Sequence, residues 1–251
     1  MSNNKDIIKS VKNTIQLLEY LNETKQEIGV REAAKALDIS KSTMQRILNT
    51  LLTENIIKFD DRSETYSLNY GAMRLSSSLL ENNRYLFLLF DEVMIRLRDE
   101  TDETISITQA IGDKQLIVHQ IKSKSLLKWS LPVGFSYSIE KGASGKVKLA
   151  FATKNEYEKI MDKLRLEMSE SAIKELESEL ADIRKKGYSI TETEIFDSTM
   201  GIAVPIFDIK TNELKYVLSL YGPLQRIKAK NVDHIVNMLI EASEEIANKI
   251  Y

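Results

Sequence analysis

The sequence predicts a chain in two parts: a winged helix-turn-helix at the N-terminus and, behind a connecting helix, an α+β domain. Three observations predict this. The first 70 residues read helix, helix, turn, helix, hairpin. Near residue 104 the apolar period then switches from about 3.6 to 2. Beyond that point strands and helices interleave without a strict βαβ rhythm, which favours an α+β layout over a doubly wound one.

Ile8, Val11, Ile15, Leu18 and Leu21 recur at helical spacing, so the chain opens on an amphipathic helix, followed by a polar loop at 22–27. Val30, Ala33, Ala34 and Leu37 mark a short second helix. After the break at Asp38-Ile39-Ser40, a third carries Met44, Ile47, Leu48 and Leu51 on one side. Strands at 56–59 and 65–68 flank a polar turn at 60–64, which makes a hairpin. A longer amphipathic stretch, 79–100, is expected to connect the parts. Strands at 104–111 and 115–121 flank Gly112-Asp113-Lys114, a hairpin signal. Helices are expected at 146–164 and 170–186, the second stopped by Gly187, then strands near 188–194, 202–208 and 214–221 and a last helix at 229–249. The expected domains are 1–74, a linker at 75–100, and 101–251.

Composition narrows the class. Apolar residues make up 43% and charged residues 29%, as in a globular domain. No stretch approaches the roughly 18 uninterrupted apolar residues of a membrane span, and the start lacks a secretory signal. There is no cysteine, hence no disulfide, thiolate metal site or cysteine nucleophile. With no paired histidine spacing, no metal or other cofactor is expected. No phosphate loop, nucleophile elbow or catalytic histidine pair is present, which argues against an enzyme. A cytoplasmic location is expected.

The third helix carries the functional signal. With Ser40 as its cap, Lys41, Ser42 and Thr43 occupy the first turn, where backbone amides and the positive dipole end favour phosphate oxygens. Lys41, Ser42, Gln45, Arg46 and Asn49 lie opposite the apolar side. Arginine pairs with guanine, and glutamine or asparagine with adenine, in a major groove. A polar stripe alone is also what any solvated helix shows; the short preceding helix, the three-residue turn and the hairpin shift the reading to double-stranded DNA. Arg62, in the expected wing turn, is a candidate for the minor groove or backbone, although Asp60, Asp61 and Glu64 beside it oppose phosphate. Residues 1–70 hold ten Lys/Arg and ten Asp/Glu, so this part is formally neutral. A single copy is then expected to bind weakly, and pairing on a palindromic site to compensate.

Several segments resemble the IclR family of regulators. Ser10 to Leu18 is similar to that family's opening helix, and Glu32 to Thr43 with Arg46-Ile47-Leu48 to its helix-turn-helix. Tyr66-Ser67-Leu68-Asn69-Tyr70-Gly71 looks like its wing exit. The likeness continues through Thr101-Asp102-Glu103-Thr104, Gly142-Ala143-Ser144-Gly145-Lys146, Ile183 to Tyr188, Ala203 to Asp208 and Gly222-Pro223, in family order. The resemblance implies a transcriptional regulator, most often a repressor, with a GAF-like effector-binding second domain, and homodimers that pair into a dimer of dimers. It places the effector cavity at Tyr137, Ala143, Ser144, Thr191, Gly201, Ser219 and Tyr221. There are departures: Ser138-Ile139-Glu140 replaces Pro-Leu-His, Ser198 stands where a glycine is usual, and Tyr221 is bulkier than expected.

Physically, Gly142-Ala143-Ser144-Gly145 opens a helix, so its amides and the Ser144 hydroxyl suit a carboxylate or a phosphate, and a small organic acid is the expected effector. The alternative is a glycine-assisted turn with Ser144 as a cap. Trp129 and Phe135 are expected as core or subunit contacts, and Asp99, Glu100, Asp102 and Glu103 as a solvated helix end. A second domain that only oligomerises, without an effector, remains the rival reading.

Overall fold

The computed structural model describes residues 7–24 and 26–250; the reading of residues 1–6 as no secretory leader, and Lys25 in the first loop, lie outside them. The chain divides into two compact units, one ending at Arg84 and the other beginning at Tyr85. The division falls inside a single long helix.

The first unit contains α1 (Lys9–Thr24), α2 (Val30–Ala36), α3 (Lys41–Thr53), β1 (Ile57–Asp60), β2 (Thr65–Leu68) and the start of α4 (Gly71–Thr101). Its core gathers the apolar stripes read from the sequence: Leu17 and Leu21 of α1, Ala33 of α2, and Met44, Leu48 and Leu51 of α3, against Ile28, Ile57 and Tyr66. β1 and β2 pair antiparallel from Ile57↔Leu68 to Asp60↔Thr65. Ile28 adds a third rung, its backbone N–H and C=O both bonded to Tyr66 at 3.0 and 2.9 Å. The α2–α3 connection turns at Asp38, whose φ of 51° is in the left-handed region that a short polar side chain tolerates. α4 begins at Gly71, eight residues before the expected start at Leu79. That first stretch is interrupted by Ser76, Ser77 and Ser78, and its apolar Met73, Leu75 and Leu79 are exposed instead of packed on a core.

The second unit is a six-stranded, wholly antiparallel sheet in the order β5-β4-β3-β8-β7-β6. Its strands are β3 (Thr104–Ile111), β4 (Lys114–Ile121), β5 (Ser136–Ser138), β6 (Ser189–Glu192), β7 (Thr199–Phe207) and β8 (Leu214–Pro223). Strand alternation separates the two faces. Ile105, Ile107, Ile202, Val204, Leu218 and Leu220 pack on Phe90, Val93, Met94 and Leu97 of α4 and on Ile235, Leu239 and Ile246 of α9 (Val232–Lys249). On the other face Ala203 and Val217 join α5 (Gly142–Ala150), α6 (Lys154–Glu167) and α7 (Glu170–Lys186).

One expected helix is divided, and the last has an unexpected short helix before it. The stretch expected as one helix at 146–164 is α5 and α6, because Thr153 and Glu156 form a reciprocal capping box that starts a new helix. The last helix is preceded by the short α8 (Leu224–Lys228), and Asn231 caps α9 by accepting from the His234 amide at 3.1 Å. The acidic run also departs from expectation. Glu103 is fully buried and held by Arg226, with two bonds of 2.6 Å, and by Lys230 at 3.3 Å. Those partners come from more than a hundred residues downstream, so local sequence reads only the charge. Ser198 has a φ of 58°, in the region where the family's glycine is at ease. No helix among the described residues is long and apolar enough to cross a membrane.

Candidate DNA-reading face and ligand cavity

α3 presents one side to the core and the opposite side outward. Lys41, Ser42, Arg46 and Asn49 are exposed, and Thr43 and Gln45 half-buried. Ser40 caps the helix, accepting from the Thr43 amide at 3.3 Å and donating to the Thr43 hydroxyl at 2.8 Å, so its hydroxyl is occupied by the cap. The Gln45 amide is occupied too: its Nε2 donates to Asn49 Oδ1 at 3.0 Å and to the Tyr66 hydroxyl at 3.3 Å. Arg62 is exposed in the β1–β2 turn, where its backbone N–H bonds to Asp60 Oδ1 at 2.8 Å. The expected residues of α3 therefore share one face, with Arg62 on the hairpin of the same unit.

In the second unit a cavity of about 590 Å³, counted to its open mouth, lies between the sheet and the first turn of α5. Tyr137, Ala143, Ser144, Thr191, Gly201, Ser219 and Tyr221 all line it, brought together from β5, α5, β6, β7 and β8. Its floor is polar because the small residues of β3 and β8 face it. Ser106 and Ser219 sit on register partners, and their hydroxyls lie 2.9 Å apart. On one side the Tyr137 hydroxyl hydrogen-bonds Ser144; on another, Tyr221 receives the Leu131 amide at 3.2 Å and the Gln120 side chain. Burial pushes both phenols up to about 12, so they remain neutral donors at ordinary pH.

Several lining residues were not read from the sequence. Trp129, expected in the core or at a subunit contact, lines the cavity and stacks on Phe196 with ring centres 5.2 Å apart. The irregular segment at 122–135 brings it there: Thr104 Oγ1 donates to the Trp129 carbonyl at 2.7 Å and Gln120 Nε2 to that of Leu131 at 2.7 Å. Phe135 packs beside the same rings, 6.3 Å from both Tyr137 and Phe196. One signal for the floor was present in the sequence: in Ile105-Ser106-Ile107-Thr108 and Leu218-Ser219-Leu220, hydroxyls alternate with fully apolar residues.

The amides expected to be free at the start of α5 are not all free. Gly142 N donates to Glu194 Oε2 at 2.9 Å, while Glu194 Oε1 lies 2.6 Å from the Lys146 ammonium. Lys146 is also 2.6 Å from Glu179. Burial alone lowers the Lys146 pKa, but its hydrogen bonds to Glu179 and Glu194 outweigh that and leave it raised. A carboxylate of the chain itself thus occupies part of the helix N-terminus. Gly142 has a φ of 69°, and a β-carbon there would collide with Ile195, so this entry turn requires glycine. His119 of β4 is 2.6 Å from Asp91 and stacked on Phe87, a packing role on the opposite face.

A winged helix-turn-helix with a polar, cap-anchored third helix, joined in one chain to an α+β unit with a partly open cavity, is the layout of a DNA-binding transcriptional regulator. The comparisons with known proteins specify it further. Residues 10–61 match the IclR helix-turn-helix domain, and residues 82–248 match the bacterial transcriptional regulator IclR C-terminal domain. The chain belongs to the IclR family, whose members are transcriptional regulators and not enzymes. It is 29% identical to the HTH-type transcriptional regulator KdgR of Escherichia coli, over 96% of this chain and 92% of that protein. It is 24% identical to the transcriptional repressor IclR of Escherichia coli, over 95% and 89% respectively. Among solved structures, an IclR family regulator from Brucella abortus matches with a TM-score of 0.81 at 20% identity, covering 98% of this chain and 94% of that one. One from Alicyclobacillus acidocaldarius matches with 0.78 at 21%, covering 97% and 99%.

Proposed function

We propose that this protein represses transcription from a palindromic operator in the cytoplasm and that a small-molecule effector in the cavity controls its affinity for that operator. One observation carries the effector reading: seven positions implied by family resemblance, scattered from residue 137 to 221, line a single cavity. For the head group we propose a carboxylate, a small organic acid. The dipole end of α5 already holds the Glu194 carboxylate, which supports an affinity for such groups, and Ala143 and Ser144 of the same turn face the cavity. Trp129, Leu131 and Phe196 would cover the apolar remainder.

Pairing of two copies follows from the neutral balance of the DNA-binding part and from its apolar exposure. Ile8 just before α1, and Val11 and Ile15 on it, are each at least half exposed, as are Leu75 and Leu79 on the opening turns of α4. Such stripes are uncommon on a monomer and fit a homodimer or a dimer of dimers. Effector binding would then alter how paired DNA-binding units are spaced, coupling the sites without changing the reading helix.

The test is thermal unfolding of the purified protein with small 2-keto and 2-hydroxy acids, each beside its uncharged amide. A ligand that binds the folded state raises the midpoint by mass action. A rise with an acid and none with its amide, together with loss of operator affinity, supports the reading. An equal rise with the amide would remove the carboxylate from it. No shift across the panel would favour the rival, a second domain that only oligomerises.

A further inference from the structure

A glutamine or asparagine that reads adenine alone needs both ends of its amide, one donating to N7 and one accepting from the N6 amine. Gln45 does not have both ends available. Its Nε2 carries two protons, and the two bonds to Asn49 Oδ1 and the Tyr66 hydroxyl use them. Tyr66 cannot yield, because it is only 7% exposed, its ring lies 4.7 Å from that of Phe59, and its backbone N–H and C=O are both bonded to Ile28. The bond from Gln45 in turn engages Asn49 Oδ1, on the next turn of the helix. What remains for a ligand on Gln45 is its acceptor, Oε1, alone; the donor of the pair is Asn49 Nδ2, beside an Asn49 Oδ1 that Gln45 already holds in place and that keeps one lone pair.

We propose that Gln45 and Asn49 read DNA as one unit held by Tyr66, a positioning residue supplied by the wing strand β2. The unit matches an exocyclic amine of adenine or cytosine beside an acceptor, a purine N7 or the oxygen of guanine or thymine. The hairpin then has a second task besides touching the DNA: it sets which edge the recognition helix presents. This inference rests on the reading of α3 as the DNA-contacting helix.

The experiment is selection from a random-sequence duplex library, followed by fluorescence anisotropy on the enriched duplex and its single-base variants. The proteins are the full-length chain and its Y66F, Q45A, N49A and Q45A/N49A variants. Q45A and N49A are expected to loosen preference at the same adjacent positions, with the double variant no worse than the more damaging single one. Y66F is expected to lower discrimination there about 5-fold, a part of what a good base contact provides. Its salt dependence should stay unchanged, because phosphate contacts are untouched. A folded Y66F with unaltered discrimination would overturn the proposal, as would additive losses at separate positions in Q45A and N49A. The latter comparison stands even if Y66F fails to fold. If the unsubstituted protein enriches no sequence, the DNA-reading assignment itself falls, and the proposal with it.

Discussion

Replacing Arg226 by methionine isolates the buried ion pair that sequence reading misplaced on a solvated helix end. Glu103 is 0% exposed, and Arg226 grips both its oxygens at 2.6 Å, while the Arg226 side chain is 26% exposed. Removing one partner of a buried pair typically costs about 3–5 kcal/mol, because the other charge is left without compensation. Lys230, 3.3 Å from Glu103 Oε1, remains, and the partial exposure of Arg226 weakens the original pair. The expected loss is therefore about 2–3 kcal/mol, or a midpoint lower by about 4–12 °C for a unit of this size. Arg226 Nη1 also holds the Leu127 carbonyl at 2.7 Å, so the segment carrying Trp129 should loosen as well. The protein has a single tryptophan, so urea unfolding followed by its fluorescence reports this unit directly. The variant E103Q/R226M removes the stranded charge and should recover at least half of the loss. A loss below about 1 kcal/mol in R226M, or no recovery in the double variant, would refute the reasoning.

Three other outcomes are expected. R46A should weaken binding to the selected operator by about 5- to 150-fold with little effect on scrambled DNA, measured by anisotropy; an equal loss on both would mean a phosphate contact and not a base contact. Gly145→Ala should destabilise by about 1–2 kcal/mol, because a β-carbon there would press on the Ile139 carbonyl oxygen and overpacking outweighs the gain in helix propensity; a more stable variant in urea would contradict this. Tyr137 and Tyr221 have folded-state pKa values pushed up to about 12 by burial, above the ordinary 10, so their contribution to stability is complete below pH 10 and lost as pH rises from about 10 to 12. In a spectrophotometric titration these two should ionise only near pH 12, together with alkaline unfolding.

The DNA-binding part was nearly all legible, since each of its helices buries one stripe and the stripe repeats within the helix. α3 was read with its cap and its apolar side because Ser40, Met44, Ile47, Leu48 and Leu51 are close neighbours in the chain. The second unit was legible in its longer elements and less so in its joints. β5 is three residues long, too short for a period, and the break between α5 and α6 is hidden within a run that keeps helical spacing. Thr153 and Glu156 offered a cap signal there that apolar spacing overrode.

The sequence by itself determined the order of the longer elements, which face of each is apolar, the polar face of α3 and, through family likeness, seven positions of the cavity. Only the tertiary structure decided what those faces meet. It set Glu103 against Arg226, Trp129 over the cavity, Glu194 on the first amide of α5 and Tyr66 against Gln45. The physical reason is range: a helix or strand period is a property of residues a few positions apart. The partner of a buried charge or of a constrained amide is chosen by packing across 21 residues in one case and 123 in another.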